Sequence, residues 1–378
     1  MWNLRFIASI DAVPAAQWNR IAATDYPFVR HEFLQALEHS GATTAATGWQ
    51  VAHAVVYRHG VPVAFMPLYR KGHSYGEYVF DHAWAGAYHR HGMEYYPKLV
   101  AAIPFTPVTG PRLCVADGVN EATVLRHLVD GIGTLLDEGG GSSWHVLFPQ
   151  EALAESLVDS GLLLRRGVQF HWHNRGYRDF DDFLERFSSR KRKAVRRERA
   201  RVAEQGLTLT TYSGAEITSE HWDHFFTFYQ LTYAKRSGHG GYLNRSFFER
   251  IGTVMADQLV LVMARHDGRE VGGALSLRDQ HNLYGRYWGC TREFDNLHFE
   301  ACYYRGIEYC IEHGLSRFDS GAQGEHKIQR GFEPCDTWSC HWIAHPGFRQ
   351  AIERFLVEDG AEVERYRQAA RELLPFKR

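Results

Sequence analysis

The stretch from His281 to Trp338 constrains the fold most, because it contains a strand, a helix and a second strand in direct succession. Its predicted elements are a strand (Leu283 to Cys290), a helix (about His298 to His313) closed by Gly314, and a strand (Ser316 to Asp319). A strand, a crossover helix and a parallel strand form a right-handed βαβ unit. Ligands bind beyond the carboxyl ends of such strands, so we expect the chemistry between Tyr287 and Phe332.

The same order of elements occurs earlier in the chain. Residues 49–148 and 259–319 each predict a strand, a hairpin turn, a returning strand, a helix and a buried strand. The turns are Arg58-His59-Gly60 and His266-Asp267-Gly268, which are typical of tight hairpins. The repeat predicts a mixed α/β (α+β) fold of two similar lobes, each a mostly antiparallel sheet flanked by helices, with a cleft between them.

The predicted domains follow from this repeat. Residues 1–168 form the first lobe, and residues 169–345 form the second, which the chain enters through a basic helix at 188–205. Residues 346–378 form a helical extension that Gly360 is expected to interrupt. A chain of 378 residues is too long for one ordinary core, which agrees with two lobes.

Composition excludes several classes of protein. A net charge of -1 argues against a surface generally coated with nucleic acid, so any anion binding must be local. The amino terminus lacks a secretory signal pattern, and no run of about 18 apolar residues predicts a membrane span. The six cysteines form no CxxC pair, which favours reduced, packed thiols. We therefore expect a cytoplasmic protein; its oligomeric state is left open.

A strongly basic segment precedes the second lobe. Arg190 to Arg201 contains eight basic residues and a single acid, Glu198. Such a run is ordinarily a solvated helix face, but its self-repulsion is relieved by an anionic partner such as a nucleotide pyrophosphate, a tRNA backbone or a glycan-linked phosphate. The predicted anion-binding residues are Arg190, Arg192 and Arg196.

Several motifs carry a family resemblance. SSRKRKAVRRER, followed by a glycine and a β-rich run, resembles a segment of the FemABX family of peptidoglycan amino-acid transferases, and GGALSL, FDSG and the later Lys327 and Gly331-Phe332 resemble it as well. HSYGEYVFDHAWA, FTPVTGPRL, LYGRYWG, LHFEACYY and GAQGEHKIQRG are similar to a bacterial family of predicted N-acyltransferases of FemAB type. This second likeness runs nearly from end to end.

The resemblance implies a fold and an activity. The fold would be two tandem GNAT-like lobes, of the acyl-CoA N-acyltransferase type. The activity would be N-acyl transfer from acyl-CoA or aminoacyl-tRNA to an amine acceptor, a small molecule or a cell-wall precursor, with no tightly bound cofactor. The alternative is a non-catalytic binding module of the same fold that recognises an envelope precursor or an RNA.

The candidate catalytic residues lie after the last strand of the βαβ unit. By position, Lys327 matches a loop lysine of the resembled family that stabilises an oxyanion or holds a carrier phosphate. An exposed surface lysine is the other interpretation. Asp319 and Glu325 flank the glycine loop as candidate bases for the acceptor ammonium, and Glu325 is preferred. The predicted substrate-binding residues of this region are Tyr287, Glu300, His326 and Arg330. Glu300 could equally be a helix cap.

A second group of candidates lies in the first lobe. Glu77 and Asp81, together with Tyr78 and Trp84, suit a pocket that holds an amine by charge and aromatic contact. A structural salt bridge is an equal alternative. The histidine pairs, such as His171 with His173, do not have the spacing of a metal site, so no metal is predicted. No GxSxG motif predicts a serine nucleophile.

Overall fold

The computed structural model describes residues 1–322 and 324–377. The chain forms two compact units. The first unit contains Met1–Val168 and Asp336–Arg365, and the second contains Gln169–Cys335 and the segment from Tyr366 onward. The divisions fall within two long strands and a terminal helix, so sequence position alone does not separate the units.

The elements are numbered in chain order. The strands are β1 (Trp2–Ile7), β2 (Trp49–Val51), β3 (His53–Arg58), β4 (Val61–Met66), β5 (Tyr69–Lys71), β6 (Lys98–Ala101), β7 (Cys114–Val115), β8 (Ser143–Leu147), β9 (Leu163–His173), β10 (Leu207–Ser213), β11 (Leu259–His266), β12 (Arg269–Arg278), β13 (Asn282–Cys290), β14 (Arg317–Asp319) and β15 (Glu333–Ile343). The helices are α1 (Ala15–Ala22), α2 (His31–His39), α3 (His82–Arg90), α4 (Glu121–Leu135), α5 (Glu151–Asp159), α6 (Phe180–Glu185), α7 (Ser189–Glu204), α8 (Ser219–Ser237), α9 (Arg245–Val254), α10 (Leu297–Phe299), α11 (Arg305–Glu312) and α12 (Pro346–Glu372). A π-helical turn, Glu300–Tyr304, joins α10 to α11.

The first unit contains two sheets. One has the strand order β1-β3-β4-β7 and is antiparallel. In the other, β15, β8, β6, β5 and β2 are neighbours in that order, and β6 and β8 are parallel. Helix α4 connects β6 to β8 through the chain and contributes Val124, Leu128 and Ile132 to the core. The predicted hairpin is present as β3 and β4, but it belongs to the separate four-stranded sheet.

The second unit contains one sheet, with the strand order β10-β11-β12-β13-β14-β9. Its pairs are antiparallel except β13 with β14, which are parallel over Asn282–Tyr284 and Arg317–Asp319. Strand β13 continues to Cys290 after β14 has ended, so the two strands share no ladder beyond that point. The predicted βαβ unit is therefore confirmed.

Two local features were not evident from the sequence, and one local prediction needs correction. Trp84 lies on helix α3, because Asp81 begins a helical turn there. A short helix, α6, precedes the basic helix α7. Gly360 does not interrupt α12, since one glycine costs a helix only about 1 kcal/mol. Helices α5, α8 and α9 were not predicted.

None of the helices within residues 1–322 and 324–377 is both long enough and apolar enough to cross a membrane.

Candidate functional site

A β-bulge lies on β13 where it leaves β14. The register passes from Leu275 opposite Tyr287 directly to Ser276 opposite Gly285, so Arg286 is an extra residue on β13. A bulge re-aims the side chain that it carries, and bulges are frequent next to active sites. The charge of Arg286 acts on both Asp319 and Lys327. Nothing in the sequence indicates Arg286, because a bulge depends on the register against the partner strand.

Asp319, the last residue of β14, is completely buried. Its Oδ1 accepts a hydrogen bond of 2.9 Å from the backbone N–H of Gly321, and its Oδ2 lies 3.4 Å from Nε2 of His171. Burial by itself would raise the pKa of Asp319, but the charges of His171 and Arg286 lower it well below its usual range. The carboxylate is therefore ionised.

His171 is the cross-strand neighbour of Asp319, on β9. Burial by itself would lower the pKa of the imidazole, but the Asp319 carboxylate raises it to about 9, assisted by Cys335. The pair is thus an imidazolium and a carboxylate at neutral pH. In the sequence, His171 stands out only as one of a pair of histidines with His173.

Lys327 lies in a 3-10 turn, Glu325–Arg330, that follows the glycine loop. Only 2% of the residue is exposed, and its Nζ donates a 2.5 Å hydrogen bond to the carbonyl oxygen of Gly321. Burial lowers the pKa of Lys327 to about 8, and Arg286 assists while Asp319 opposes the change. The interpretation as an exposed surface lysine is therefore wrong.

The backbone of Gly321 connects Asp319 and Lys327, because its N–H donates to the carboxylate and its carbonyl oxygen accepts from the ammonium. Its φ is +88°, and a Cβ there would lie 3.3 Å from the carbonyl oxygen of Gly285. Glycine suits both constraints, since L side chains rarely adopt this conformation. The neighbouring Ser320 hydroxyl is buried and has no hydrogen-bond partner among the described residues.

Two further predicted residues lie on either side of Lys327 in the same turn. His326 Nε2 lies 2.8 Å from the Tyr303 hydroxyl. The Arg330 guanidinium donates to Glu198 at 2.7 Å, and its centre lies 3.4 Å from the centroid of the Phe299 ring. Arg330 is thus largely engaged with its own unit and contributes to the shape of the site.

Glu325 occupies the same turn but is exposed. Its carboxylate lies near the Tyr366 hydroxyl, and it assists burial in raising the pKa of that phenol to about 12. Of the pair proposed from the sequence, Lys327 points inward and Glu325 lies at the surface.

Glu300 is buried within an ionic cluster. Arg199 donates to both of its carboxylate oxygens, at 3.0 and 2.9 Å, and Arg305 lies 3.2 Å away. Arg199 also donates to Glu308 at 2.6 Å. These contacts favour a structural role for Glu300, in holding α7 against the π-helical turn.

Tyr287, also predicted to bind substrate, is buried against the rings of Tyr229 and Phe248.

The basic residues of α7 divide into two groups. Arg196 pairs with Asp181 at 2.8 Å, and with Arg199 it lines a surface pocket of about 390 Å³ whose wall includes Phe180. In the part of the chain that the structure describes, the cations without a hydrogen bond or ion pair include Arg190, Arg192, Lys193 and Arg197. Three of them share one exposed face of the helix, and we call Arg190, Lys193 and Arg197 the cationic stripe.

The candidates of the first unit form their own buried cluster. Lys98 is fully buried and donates to Glu77 at 2.7 Å, to Ser74 at 2.8 Å and to Asp81. The two carboxylates therefore pair with a lysine of the chain itself, which is the structural salt bridge that the sequence left as the alternative to a substrate pocket. Lys71 lies 3.9 Å from Glu77.

The aromatic residues predicted beside these carboxylates differ in environment. The Trp84 ring is buried and packs edge-on against His341, with centroids 4.9 Å apart. Tyr78 is partly exposed and has a φ of +62°. No group of three or more His, Cys, Asp or Glu side chains in residues 1–322 and 324–377 is placed to hold a metal ion.

Comparisons with solved structures show the fold. FemX superposes with a TM-score of 0.54 at 14% identity, covering 90% of this chain and 98% of its own. The C-terminal domain of a putative lysylphosphatidylglycerol synthetase from Agrobacterium fabrum gives a TM-score of 0.55 at 11% identity, covering 92% and 95%. A tandem GNAT protein from the clavulanic acid biosynthesis pathway covers 92% and 99% at 12% identity, with a TM-score of 0.48. The likenesses to FemX and to the synthetase domain, together with the mixed sheets flanked by helices, confirm the predicted α+β fold class.

Sequence comparison identifies the family. No curated protein matches the chain. A family model, FemAB-like, described as peptidoglycan biosynthesis/recognition, matches residues 9–378. The match spans both units and includes Asp319, Lys327 and the basic helix. The chain therefore belongs to the FemAB-like family.

Proposed function

We propose that this protein is an N-acyltransferase that moves an acyl or aminoacyl group from an activated carrier to the amine of a cell-wall precursor. The observation that carries the proposal is the buried Lys327 ammonium beyond the end of β14. The family description supports a role connected with peptidoglycan. The bulge at Arg286 and the end of the short parallel ladder between β13 and β14 support a reaction site at this edge of the sheet.

The proposed reaction needs a cation at the acyl carbonyl. The acceptor nitrogen attacks the carbonyl carbon and forms a C–N bond, while the carbonyl π electrons become an oxyanion. Lys327 stabilises that charge because a buried ammonium interacts strongly in a water-poor site. The tetrahedral intermediate then collapses, and the bond from carbon to the carrier sulfur or oxygen breaks.

Proton balance requires a base for the acceptor and a proton for the leaving group. The acceptor ammonium first gives one proton to the base and becomes a neutral amine. After attack the nitrogen loses a second proton, which passes to the leaving thiolate or alkoxide. Glu325 is the proposed base, because an exposed carboxylate at the turn is accessible to an incoming ammonium. Asp319 is ionised but engaged by His171 and Gly321, so we assign it the role of holding the loop.

The cationic stripe favours aminoacyl-tRNA over acyl-CoA as the donor. Arg190, Lys193 and Arg197 lie on successive turns of α7 and have no acidic partner, which suits the repeating phosphates of a nucleic acid backbone. The stability of the protein toward heat tests this assignment. A ligand present at about 100 times its dissociation constant adds roughly 2.7 kcal/mol to the free energy of unfolding.

We expect bulk aminoacyl-tRNA to raise the melting temperature, and coenzyme A and acetyl-CoA to leave it unchanged. Replacing Arg190, Lys193 and Arg197 together by glutamine should remove the shift, whereas replacing the paired Arg201 should not. A shift with acetyl-CoA alone would transfer the assignment to acyl-CoA.

The catalytic role of Lys327 is tested by Lys327→Met. Loss of one oxyanion donor typically costs about 10² to 10³-fold in kcat, and we expect a loss of this size in transfer to a UDP-linked muropeptide. Lys235→Met is the matched control, because that lysine is exposed and pairs with an exposed Glu293. Ligand binding by the wild type without any transfer would instead support the non-catalytic binding module.

A further inference from the structure

His171 is a charged, buried residue that the proposed reaction leaves unused. It lies on β9 opposite Asp319, and 3% of it is exposed. A buried ion pair is costly to form and is weak support for stability by itself. Its position next to the catalytic loop indicates another role.

A continuous series of contacts leads from this histidine to the catalytic lysine. His171 Nε2 lies 3.4 Å from one oxygen of Asp319, and the other oxygen accepts from the Gly321 N–H at 2.9 Å. The carbonyl oxygen of Gly321 then accepts from Lys327 Nζ at 2.5 Å. We propose that His171 is a positioning residue, which holds Asp319 and the Gly321 peptide in place and so directs the Lys327 ammonium. The inference rests on the function proposed above.

The titratable groups around this series of contacts determine how a change at His171 affects Lys327. Lys327 is faced by Asp319, Arg286, Cys302 and Cys335. His171 is faced by Asp319 and Cys335, and its own charge acts on His173. A neutral residue at position 171 removes a positive charge from this cluster. It also leaves one oxygen of Asp319 without its partner, so the carboxylate can turn away from Gly321.

Release of the loop exposes Lys327 to water, and exposure raises its pKa from about 8 toward the ordinary value of 10.5. Loss of the positive charge at His171 acts in the same direction. A histidine that only fills space would not change the titration of Lys327.

The first arm of the test is NMR titration of protein labelled with 13C in lysine and histidine. Signals are assigned by their absence in Lys327→Met and His171→Gln. In the wild type we expect His171 to titrate above pH 8, and in Asp319→Asn below pH 7. In His171→Gln the Lys327 titration should move upward by at least one pH unit. A neutral His171 in the wild type, or an unchanged Lys327 in His171→Gln, would overturn the inference.

The second arm is kinetic. His171→Gln should lower kcat about 10 to 100-fold with KM within two-fold, and its loss of rate at alkaline pH should move to higher pH. The double variant with Asp319→Asn should be no slower than the slower single variant, because both residues act through one series of contacts. Additive losses would contradict this. His173→Gln is the matched control and should keep the wild-type rate.

The two arms separate this inference from the proposed function. If the wild type transfers no acyl group, the proposed function fails, and the NMR titrations still decide whether His171 positions Lys327.

Discussion

Each unit of this protein buries a cluster of charges, and the two clusters are composed differently. In the first unit, Lys98 and Lys71 face two carboxylates, Glu77 and Asp81. In the second unit, one carboxylate, Asp319, is surrounded by three cationic groups, which are His171, Arg286 and Lys327. The first cluster is balanced within the protein, whereas the second has surplus positive charge.

The difference distinguishes a cluster suited to a structural role from one suited to the proposed reaction. A buried lysine between two acids is already satisfied, so it has nothing to offer a ligand. A buried site with more cations than acids is instead stabilised when negative charge develops in it, which is the requirement of acyl transfer. Three lysine substitutions of the same kind sharpen this comparison.

The largest effect on stability is expected at Lys98. Lys98→Met leaves Glu77 and Asp81 buried without their shared cation, and breaking a buried pair in this way costs about 3–5 kcal/mol. Urea unfolding of the variant measures the loss. A cost below about 1 kcal/mol would show that the cluster of the first unit does not depend on its ion pairs.

Lys71→Met should raise the free energy of unfolding, in contrast to Lys98→Met, and by a smaller amount. Burial lowers the pKa of Lys71 to about 7 from 10.5, although Glu77 opposes the change. Between these two values the unfolded chain holds a proton that the folded chain does not, so the contribution of Lys71 to the free energy of unfolding rises with pH. The burial of charged Lys71 therefore lowers the free energy of unfolding by its full amount at and below about pH 7.

We accordingly expect Lys71→Met to be more stable than the wild type at pH 7 by up to about 4 kcal/mol, because a pKa lowered from 10.5 to about 7 corresponds to a cost of this order. The gain should shrink as the pH rises toward 10. Arg70→Met is the control, because this neighbour on β5 is exposed and should give no pH-dependent gain. A gain in stability of Lys71→Met that grows with pH would contradict the lowered pKa of Lys71.

The smallest effect on stability is expected at Lys327. His171 and Arg286 remain to balance Asp319 in Lys327→Met. Burial lowers the pKa of Lys327 less than that of Lys71, to about 8 against about 7, so the variant should be more stable than the wild type at pH 7 but by less than Lys71→Met. The same variant should lose transfer activity. A loss of stability as large as that of Lys98→Met would erase the distinction between the two clusters.

Much of the fold could be predicted from the sequence because its signals are local. The βαβ unit from β13 to β14 follows from an apolar run, a helical period and a closing glycine. Both hairpins follow from turns in which residues such as Gly60 and Gly268 adopt positive φ. The course of β3 and β4 into a separate sheet could not be predicted, since strand partners are chosen over long sequence separations.

The site was predictable in part. Lys327 and Asp319 could be located because they follow a recognisable strand and match a family pattern. Arg286 could not, because a bulge on β13 is defined only by its register against β12. Glu300 and Glu77 carry the charge that a ligand site needs, but their partners Arg199 and Lys98 are revealed only by folding.

The sequence by itself determined the two-lobed α/β architecture, the basic helix α7 and the position of the loop proposed to be catalytic. These depend on periodicity, turn residues and charge along the chain. Only the tertiary structure decided which charges are neutralised and which remain available. Arg196 and Arg199 are paired, while the cationic stripe is not. An ion pair can join residues as far apart in the sequence as Arg199 and Glu300, and its strength depends on how deeply it is buried. No local sequence pattern therefore predicts which charges are paired.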